Sequence, residues 1–334
     1  MKKLLRRSTI LILMAMLMLF GSYAAGNDTQ TGQTINWPVK GKRIRMIITH
    51  GVGGSVDLPA RAMIPYLEKA FGIPVVPENL EGNGGRRAME EAFAAKPDGY
   101  TIVVSAFPSR LIGELLYPES KYKMKDFVHL GAWVGGDYRT VLVKADSPYK
   151  TFNDLMEAGK TKKLKAAGGG GLGSTSQLQA VFLKEKVKMN ADFIPFDSTA
   201  EVASAVLGGH VDFGLMPVSS SARYQKQGDI RVLAIHAPHR IPELPNVPTM
   251  EELGYKNVVI PYGVGAWAPP GTPREIQLMY GKVILDACKD KAFLDWADKN
   301  SILIEPLGPD EFLNVTLADY NSINSVLDLL KTAK

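Results

Sequence analysis

Two glycine-rich turns constrain this chain more than any other feature: Gly51-Val-Gly-Gly-Ser-Val-Asp57 and Gly168-Gly-Gly-Gly-Leu-Gly-Ser-Thr-Ser176. Each follows an apolar, strand-like run and opens a segment with helical periodicity. A turn of this kind presents backbone N–H groups at a helix N-terminus, where the helix dipole favours negative charge. Glycine lets the main chain approach a ligand with no side chain in the way. The reading is of two anion cradles, in separate halves of the chain, closing on one small acid.

The segments between the turns read as alternating strands and helices. Arg43–Thr49 is a buried strand, and Asp57 is placed to cap a helix that runs to Phe71 and stops at Gly72. Val75-Val76 begins a second strand. A third glycine turn, Asn79-Leu-Glu-Gly-Asn-Gly-Gly85, leads into a helix through Ala95, and Pro97-Asp98-Gly99 turns into the strand Tyr100–Ser105. The alternation restarts after Val141-Leu-Val143, with a capping box at Thr151-Phe-Asn-Asp154 and a short strand at Leu164–Ala167. Ser174–Lys186 reads as a helix, and Ser198-Thr-Ala-Glu201 caps another that ends at Gly208-Gly209. Val211–Met216 and Ile230–Ile235 are strands, and Gln277–Trp296 reads as one helix carrying Cys288. Such alternation predicts an α/β chain of two lobes, each a mostly parallel sheet flanked by helices, joined by crossing strands.

The N-terminus stands apart. Lys2, Lys3, Arg6 and Arg7 precede an apolar run from Ile10 to Phe20, and Ser22-Tyr23-Ala24 fits a small-residue cleavage site, so residues 1–24 read as a signal peptide. The run is short for a bilayer span, which favours cleavage over anchoring. Residues 25–40 read as a flexible lead-in. The expected body is 41–140 plus 262–334 for one lobe and 141–261 for the other. The formal charge of +5 falls to +1 once the four basic leader residues are gone. No basic run replaces them, so nucleic acid is not an expected partner. Cys288 is the only cysteine, which excludes an internal disulfide, and it reads as a buried core thiol. At 46% apolar and 22% charged, the composition is that of a folded globular chain.

Several chemistries fail on the residues. Gly168 and Gly173 have P-loop spacing, but Ser174 stands where the lysine must be, so nucleotide hydrolysis is not expected. Gly82-Asn-Gly84 lacks the third glycine of a dinucleotide fingerprint. The histidines at 50, 129, 210, 236 and 239 form no HExxH pattern, and no G-x-S-x-G elbow is present. No metal, cofactor or catalytic residue is expected, and the enzyme alternative rests on one acid/base pair, His50 with Asp197. His50 follows a strand at its C-terminal end, where α/β folds bind ligands. Arg86, Arg87 and Arg110 are candidate cations, each weighed against a solvated surface. Ser219-Ser220-Ser221 follows a strand end and is either a ligand donor or a polar cap.

The order of these motifs resembles the receptors of tripartite tricarboxylate transporters, the TctC or Bug-type extracytoplasmic solute-binding proteins. The likeness runs from about Arg43 to Phe312. It rests on Gly53-Gly54-Ser-Val-Asp57 with Ala60-Arg61, Glu78-Asn79 with Gly82-Asn-Gly84-Gly85, and Pro97-Asp-Gly-Tyr-Thr101. Gly173-Ser174, Leu207-Gly-Gly-His-Val-Asp212, Leu244-Pro-Asn-Val-Pro-Thr249 and Ala268-Pro-Pro-Gly-Thr-Pro273 continue it. The resemblance implies a type II-like periplasmic-binding-protein fold, non-enzymatic, in the periplasm and monomeric, with a ligand cleft at the hinge. It implies a small organic carboxylate ligand handed to the permease subunits of a tripartite transporter. Carried over, the site comprises His50, Gly51, Val52, Gly53, Gly54, Ser55 and Asp57 from the first turn, with Ser105 from the following sheet. Gly173, Ser174, Thr175, Asp197 and Ser219 come from the second lobe. The departures from the family pattern, at Thr49-His50, Gln177, Asp197-Ser-Thr and Gly263, fall at the pocket and leave room for a compound larger or less acidic than citrate. The alternatives are a ligand sensor serving a kinase and a periplasmic α/β enzyme acting on a small acid.

Overall fold

The computed structural model describes residues 35–256, 258–324 and 327–331. The leader segment lies outside them. Among the described residues no helix is long and apolar enough to cross a membrane. The described residues form ten strands: β1 (Ile44–Ile48), β2 (Val75–Asn79), β3 (Thr101–Phe107), β4 (Val128–Lys144), β5 (Leu164–Gly169), β6 (Ala191–Phe196), β7 (Phe213–Pro217), β8 (Ile230–Ile235), β9 (Pro261–Ala268) and β10 (Ile304–Leu307). The helices are α1 (Asp57–Phe71), α2 (Arg86–Phe93), α3 (Ser109–Leu116), α4 (Phe152–Thr161), α5 (Thr175–Glu185), α6 (Thr199–Leu207), α7 (Val218–Lys226), α8 (Arg274–Ala287), α9 (Lys291–Lys299), α10 (Pro309–Asn324) and α11 (Leu327–Lys331).

The strands lie in the order β2-β1-β3-β9-β4-β7-β5-β6, with β8 and β10 also paired to β4. β1 is parallel to β2 and β3, and β5 is parallel to β6 and β7, as the βα alternation requires. β1 is an apolar run buried on both faces. Ile44, Met46 and Ile48 pack with Met63, Leu67 and Tyr280 on one side, while Ile47 and Val103 pack with Met89 and Ile112 on the other. From Trp37 onward the chain forms one compact unit.

The two parallel sets are joined by β4, a 17-residue strand. Its first part pairs antiparallel with β9, down to Tyr138 against Pro261. From Arg139 it pairs with β7, and from Thr140 with β8. The register against β9 shifts three times, the last between Val134 and Asp137. Gly135 and Gly136 occupy that interval, and Gly136 adopts φ +60°, a conformation glycine takes without strain. The returning chain crosses at the same place: Arg139 N–H donates to Ile260 O, Ile260 N–H to His236 O and His236 N–H to Arg139 O. The expected crossing strands are present, and the two parallel sets meet at them.

Local signals behave as their chemistry dictates, with two exceptions. The Thr151–Asp154 capping box is complete, Ser174 and Ser198 cap α5 and α6, and Gly72 ends α1 in the left-handed conformation. Asp57 is the first helical residue of α1 rather than its N-cap, which is Val56. The expected helix Gln277–Trp296 is two helices. Cys288 ends α8, and Asp290 starts α9 by accepting from the N–H groups of Ala292 and Phe293. Cys288 is buried, which pushes its thiol up to about 12.

Candidate functional site

The first turn is held by its own acid. Asp57 is 1% exposed, and one carboxylate oxygen accepts from Gly53 N–H at 2.9 Å. The other accepts from Arg61 Nε at 2.8 Å and Asn79 Nδ2 at 2.8 Å. Asn79 Nδ2 also donates to His50 O. A buried carboxylate is stable only when bonded this fully. Asp57 therefore fixes the turn from behind, while Gly54 N–H donates to Gly51 O at 3.3 Å.

The second turn is also partly closed by the protein's own groups. Gln177 Oε1 accepts from Gly173 N–H at 2.7 Å, and Ser174 Oγ caps Gln177 N–H while donating to Gly171 O. Thr175 N–H donates to Ser109 Oγ at 3.2 Å. Of the expected second cradle, the Gly173 and Thr175 N–H groups are thus taken by the protein's own side chains. The glutamine supplies an acceptor in the first helical turn, where the main chain otherwise leaves donors unpaired.

The segments that carry these turns meet along one seam: the first turn packs against the start of α6, and the second packs against the third glycine turn at Gly84. Ser55 N–H donates to Thr199 Oγ1 at 2.9 Å across the seam. A Cβ placed on Gly51 would lie 2.9 Å from Ser198 Cβ, and one on Gly171 would lie 2.7 Å from Gly84 Cα. A Cβ on Gly84 would overlap Leu172 O. These approaches are what the glycines permit, and they define a closed arrangement.

Behind the seam lies a buried polar interior. Thr49 Oγ1 is 2.7 Å from both His50 Nδ1 and Ser105 Oγ. His50 Nε2 lies beside Gly170, 3.1 Å from where a Cβ there would sit. Burial, reinforced by the charges of Arg110 and Arg139, holds His50 well below the usual histidine range, so its ring is neutral at pH 7. Tyr262 OH bonds Ser55 Oγ at 2.7 Å. Arg139 is 2% exposed, and its guanidinium donates to Gln179, Ser176 and Leu215 O. Arg110 is fully buried, and none of its three guanidinium nitrogens has a hydrogen-bond partner. Asp137, also fully buried, accepts from Tyr138 N–H, and its oxygens lie 3.4 Å from Ser219 N. Burial raises its carboxyl to about 6.

The expected residues divide into three groups. His50, Gly51, Gly54, Ser105, Ser174 and Thr175 are buried at or behind the seam, with Gly53 and Ser55 half-buried beside them. Asp197 sits farther out, lining a groove of about 420 Å³ with Asn83, Phe196 and Glu201. Ser219 lies at the strand crossing beside Asp137, and Val52 points to solvent at 66% exposure. His50 and Asp197 do not form the suggested acid/base pair: the ring bonds Thr49, and the charges that act on it are arginines. Arg87 is exposed, whereas Arg86 lies over the Tyr117 ring at 4.0 Å and pairs with Glu119. Arg110, weighed in the sequence against a solvated surface, is among the most deeply buried side chains of the molecule. Gly263 packs under Phe107, and Trp267 is a core residue against Phe312. Ser109, which binds the second turn, carries no sequence signal beyond its place at a helix start. Among the described residues no group of three or more His, Cys, Asp or Glu side chains could hold a metal ion.

Comparison with known proteins gives this geometry its context. Residues 60–310 match the family described as the tripartite tricarboxylate transporter family receptor. The protein BugT of Bordetella pertussis is 30% identical over 260 residues, covering 75% of this chain and 78% of that protein. The solved periplasmic binding protein BugD superposes with a TM-score of 0.79 at 25% identity, covering 88% of this chain and 98% of BugD. MatC from Rhodopseudomonas palustris, solved with bound malate, shares the fold with a TM-score of 0.78 at 22% identity, covering 86% of this chain and all of that one. These proteins are two-lobed solute receptors rather than enzymes, and two glycine turns closing over a buried interior fit that role. The chain belongs to the tripartite tricarboxylate transporter receptor family.

Proposed function

We propose that this protein is an extracytoplasmic receptor that captures a small organic carboxylate at the seam between its two glycine turns and hands it to the membrane permease of a tripartite transporter. The observation that supports the reading is the seam itself, where Ser55 N–H of the first turn meets Thr199 at the start of α6 and Gly84 of the third turn meets Leu172 O of the second, above an interior holding Arg110 and Arg139. Buried cations favour an anion over a neutral solute, and removal from water strengthens a charge-assisted bond. A ligand shifts open toward closed only through contacts made in the closed state, and the seam supplies residues from both turns. His50, Gly51, Gly53, Gly54, Ser55, Ser105, Ser174 and Thr175 are the proposed lining, with Asp57 and Gly173 shaping the turns. Asp197 guards the mouth and Ser219 braces the crossing. The malate bound by MatC is a carboxylate of the proposed size. The signal-like leader supports a periplasmic location.

The test is a thermal-shift screen of the purified protein against mono-, di- and tricarboxylates and neutral sugars. A binding acid is expected to raise the melting temperature by roughly 5 °C at saturating concentration. Stabilisation by sugars and by no acid defeats the proposal.

A further inference from the structure

Two guanidinium groups are buried in the interior, and they differ in one respect. Arg139 is saturated by Gln179, Ser176 and Leu215 O. Arg110 has no acceptor for Nε, Nη1 or Nη2. Its main-chain carbonyl accepts from Tyr122 OH, which anchors the backbone and leaves the side chain unengaged. Nη1 presses against Gly85, where a Cβ could not fit, and the same point lies 3.2 Å from Thr49 Cβ. Gly85 has φ +79°, so both its shape and its backbone reserve the space for the guanidinium.

Among the described residues, none of the groups that act on Arg110 is a carboxylate. The ionisable groups that bear on Arg110 are the phenols of Tyr122 and Tyr262, which burial keeps protonated. Asp137, the buried carboxyl at the crossing, acts on Arg139. The charge of Arg110 is felt by His50 and Tyr262, which stand at the seam beside Gly170 and Ser55. An arginine stripped of water with five N–H donors unused is costly unless something outside the chain supplies the acceptors.

We propose that Arg110 is the charge-pairing residue of the ligand site, its planar fork receiving a carboxylate of the bound solute beside Thr49 and Gly85. This deepens the receptor reading and rests on it. The fork matches a two-oxygen acid bidentately, which a lone ammonium would not. Recognition is then divided: the glycine turns supply shape, and Arg110 supplies the positive charge that rejects amides and sugars.

The experiment compares wild type with Arg110→Met and Arg110→Gln, using malate, adipate and citrate as probes, by calorimetric titration and by melting of the unliganded proteins. The expected result is affinity for the bound acid weakened roughly a hundredfold in both variants. Unliganded Arg110→Met should melt at or above the wild-type temperature, because an uncompensated buried charge has been removed. A purely structural arginine would give the opposite pattern, with a lower melting temperature and unchanged affinity. Should the methionine variant fail to fold, the glutamine variant decides, and binding within threefold of wild type overturns the assignment while the receptor reading stands. A wild type that binds none of the three acids overturns both.

Discussion

Gly84 shows how little room closure leaves. Its φ is +61°, and the space a side chain would need is taken by Leu172 O from the opposite turn. Alanine at this position meets two penalties of different kinds. The left-handed backbone costs about 1–2 kcal/mol whether the protein is open or closed. The overlap with Leu172 O is felt only when the turns meet. Gly84→Ala is therefore expected to lower the melting temperature of the unliganded protein modestly and to weaken ligand binding more than tenfold, about 1.4 kcal/mol or more. Equal affinity in a titration of the two proteins would show that closure does not bring these residues together. Burial is also where sequence legibility ends for single residues. The place of Asp57 after the glycines reads as a helix cap, whereas its carboxylate holds the turn through Gly53 N–H. Arg110 was visible only as a cation after a strand, because nothing in the spacing of Ser109–Leu116 marks which residue turns inward.

At the scale of elements, the βα units and the presence of crossing strands were legible, and the path of β4 was not. A strand feeding a glycine turn and a capped helix is specified locally, so β1 with α1 and β5 with α5 lie where periodicity and capping place them. β4 is specified by its partners. Gly131, Gly135, Gly136 and Asp137 interrupt its apolar pattern, and only pairing with β9, β10, β7 and β8 makes the segment one strand. The helix split at Cys288 is also local, written in the Asp290 cap but masked by apolar residues on either side.

His129 ties β4 to α10: Nδ1 lies 3.1 Å from Phe127 O, and Nε2 is 3.0 Å from Thr316 Oγ1. Burial lowers its pKa to about 4, so the folded state favours the neutral ring. The stabilisation is fully present above the unfolded pKa of about 6.5 and is lost as pH falls toward 4, an effect of about 3 kcal/mol. His236, lowered by burial to about 4, adds in the same direction, while protonation of Asp137 works against it. His129→Gln is expected to be about 1–2 kcal/mol less stable at pH 7.5 and to lose less stability than wild type between pH 6.5 and 4. Parallel melting curves across that range would refute the assignment.

At the scale of the whole molecule, the seam carries a repulsion as well as contacts. Glu81, on the third turn, lies beside Gly51, and Asp197 and Glu201 act on it from the start of α6. Burial raises the carboxyls of Glu81 and Asp197; the charges of Asp197 and Glu201 add to the shift at Glu81, and that of Glu201 to the shift at Asp197. Acids whose pKa rises on closure take up protons on closing, so closure is favoured as pH falls toward the carboxylate range and opposed above it. Affinity for a carboxylate ligand is expected to increase from pH 7.5 to 5.5. Glu81→Gln should bind about threefold more tightly at neutral pH and low salt, with the gain shrinking as salt is added. Titrations at two pH values and two ionic strengths check both statements, and a variant with weaker binding would contradict them.

β4 has a further consequence, for how the protein comes apart. Val128–Tyr138 holds one end of the sheet order together and Arg139–Lys144 the other, through a single uninterrupted backbone. Fraying either end strips hydrogen-bond partners from the residues that begin the neighbouring ladder. A single concerted thermal transition is therefore expected, one that calorimetry would resolve as one peak, and a fragment cut within this strand would lose a wall from each remnant.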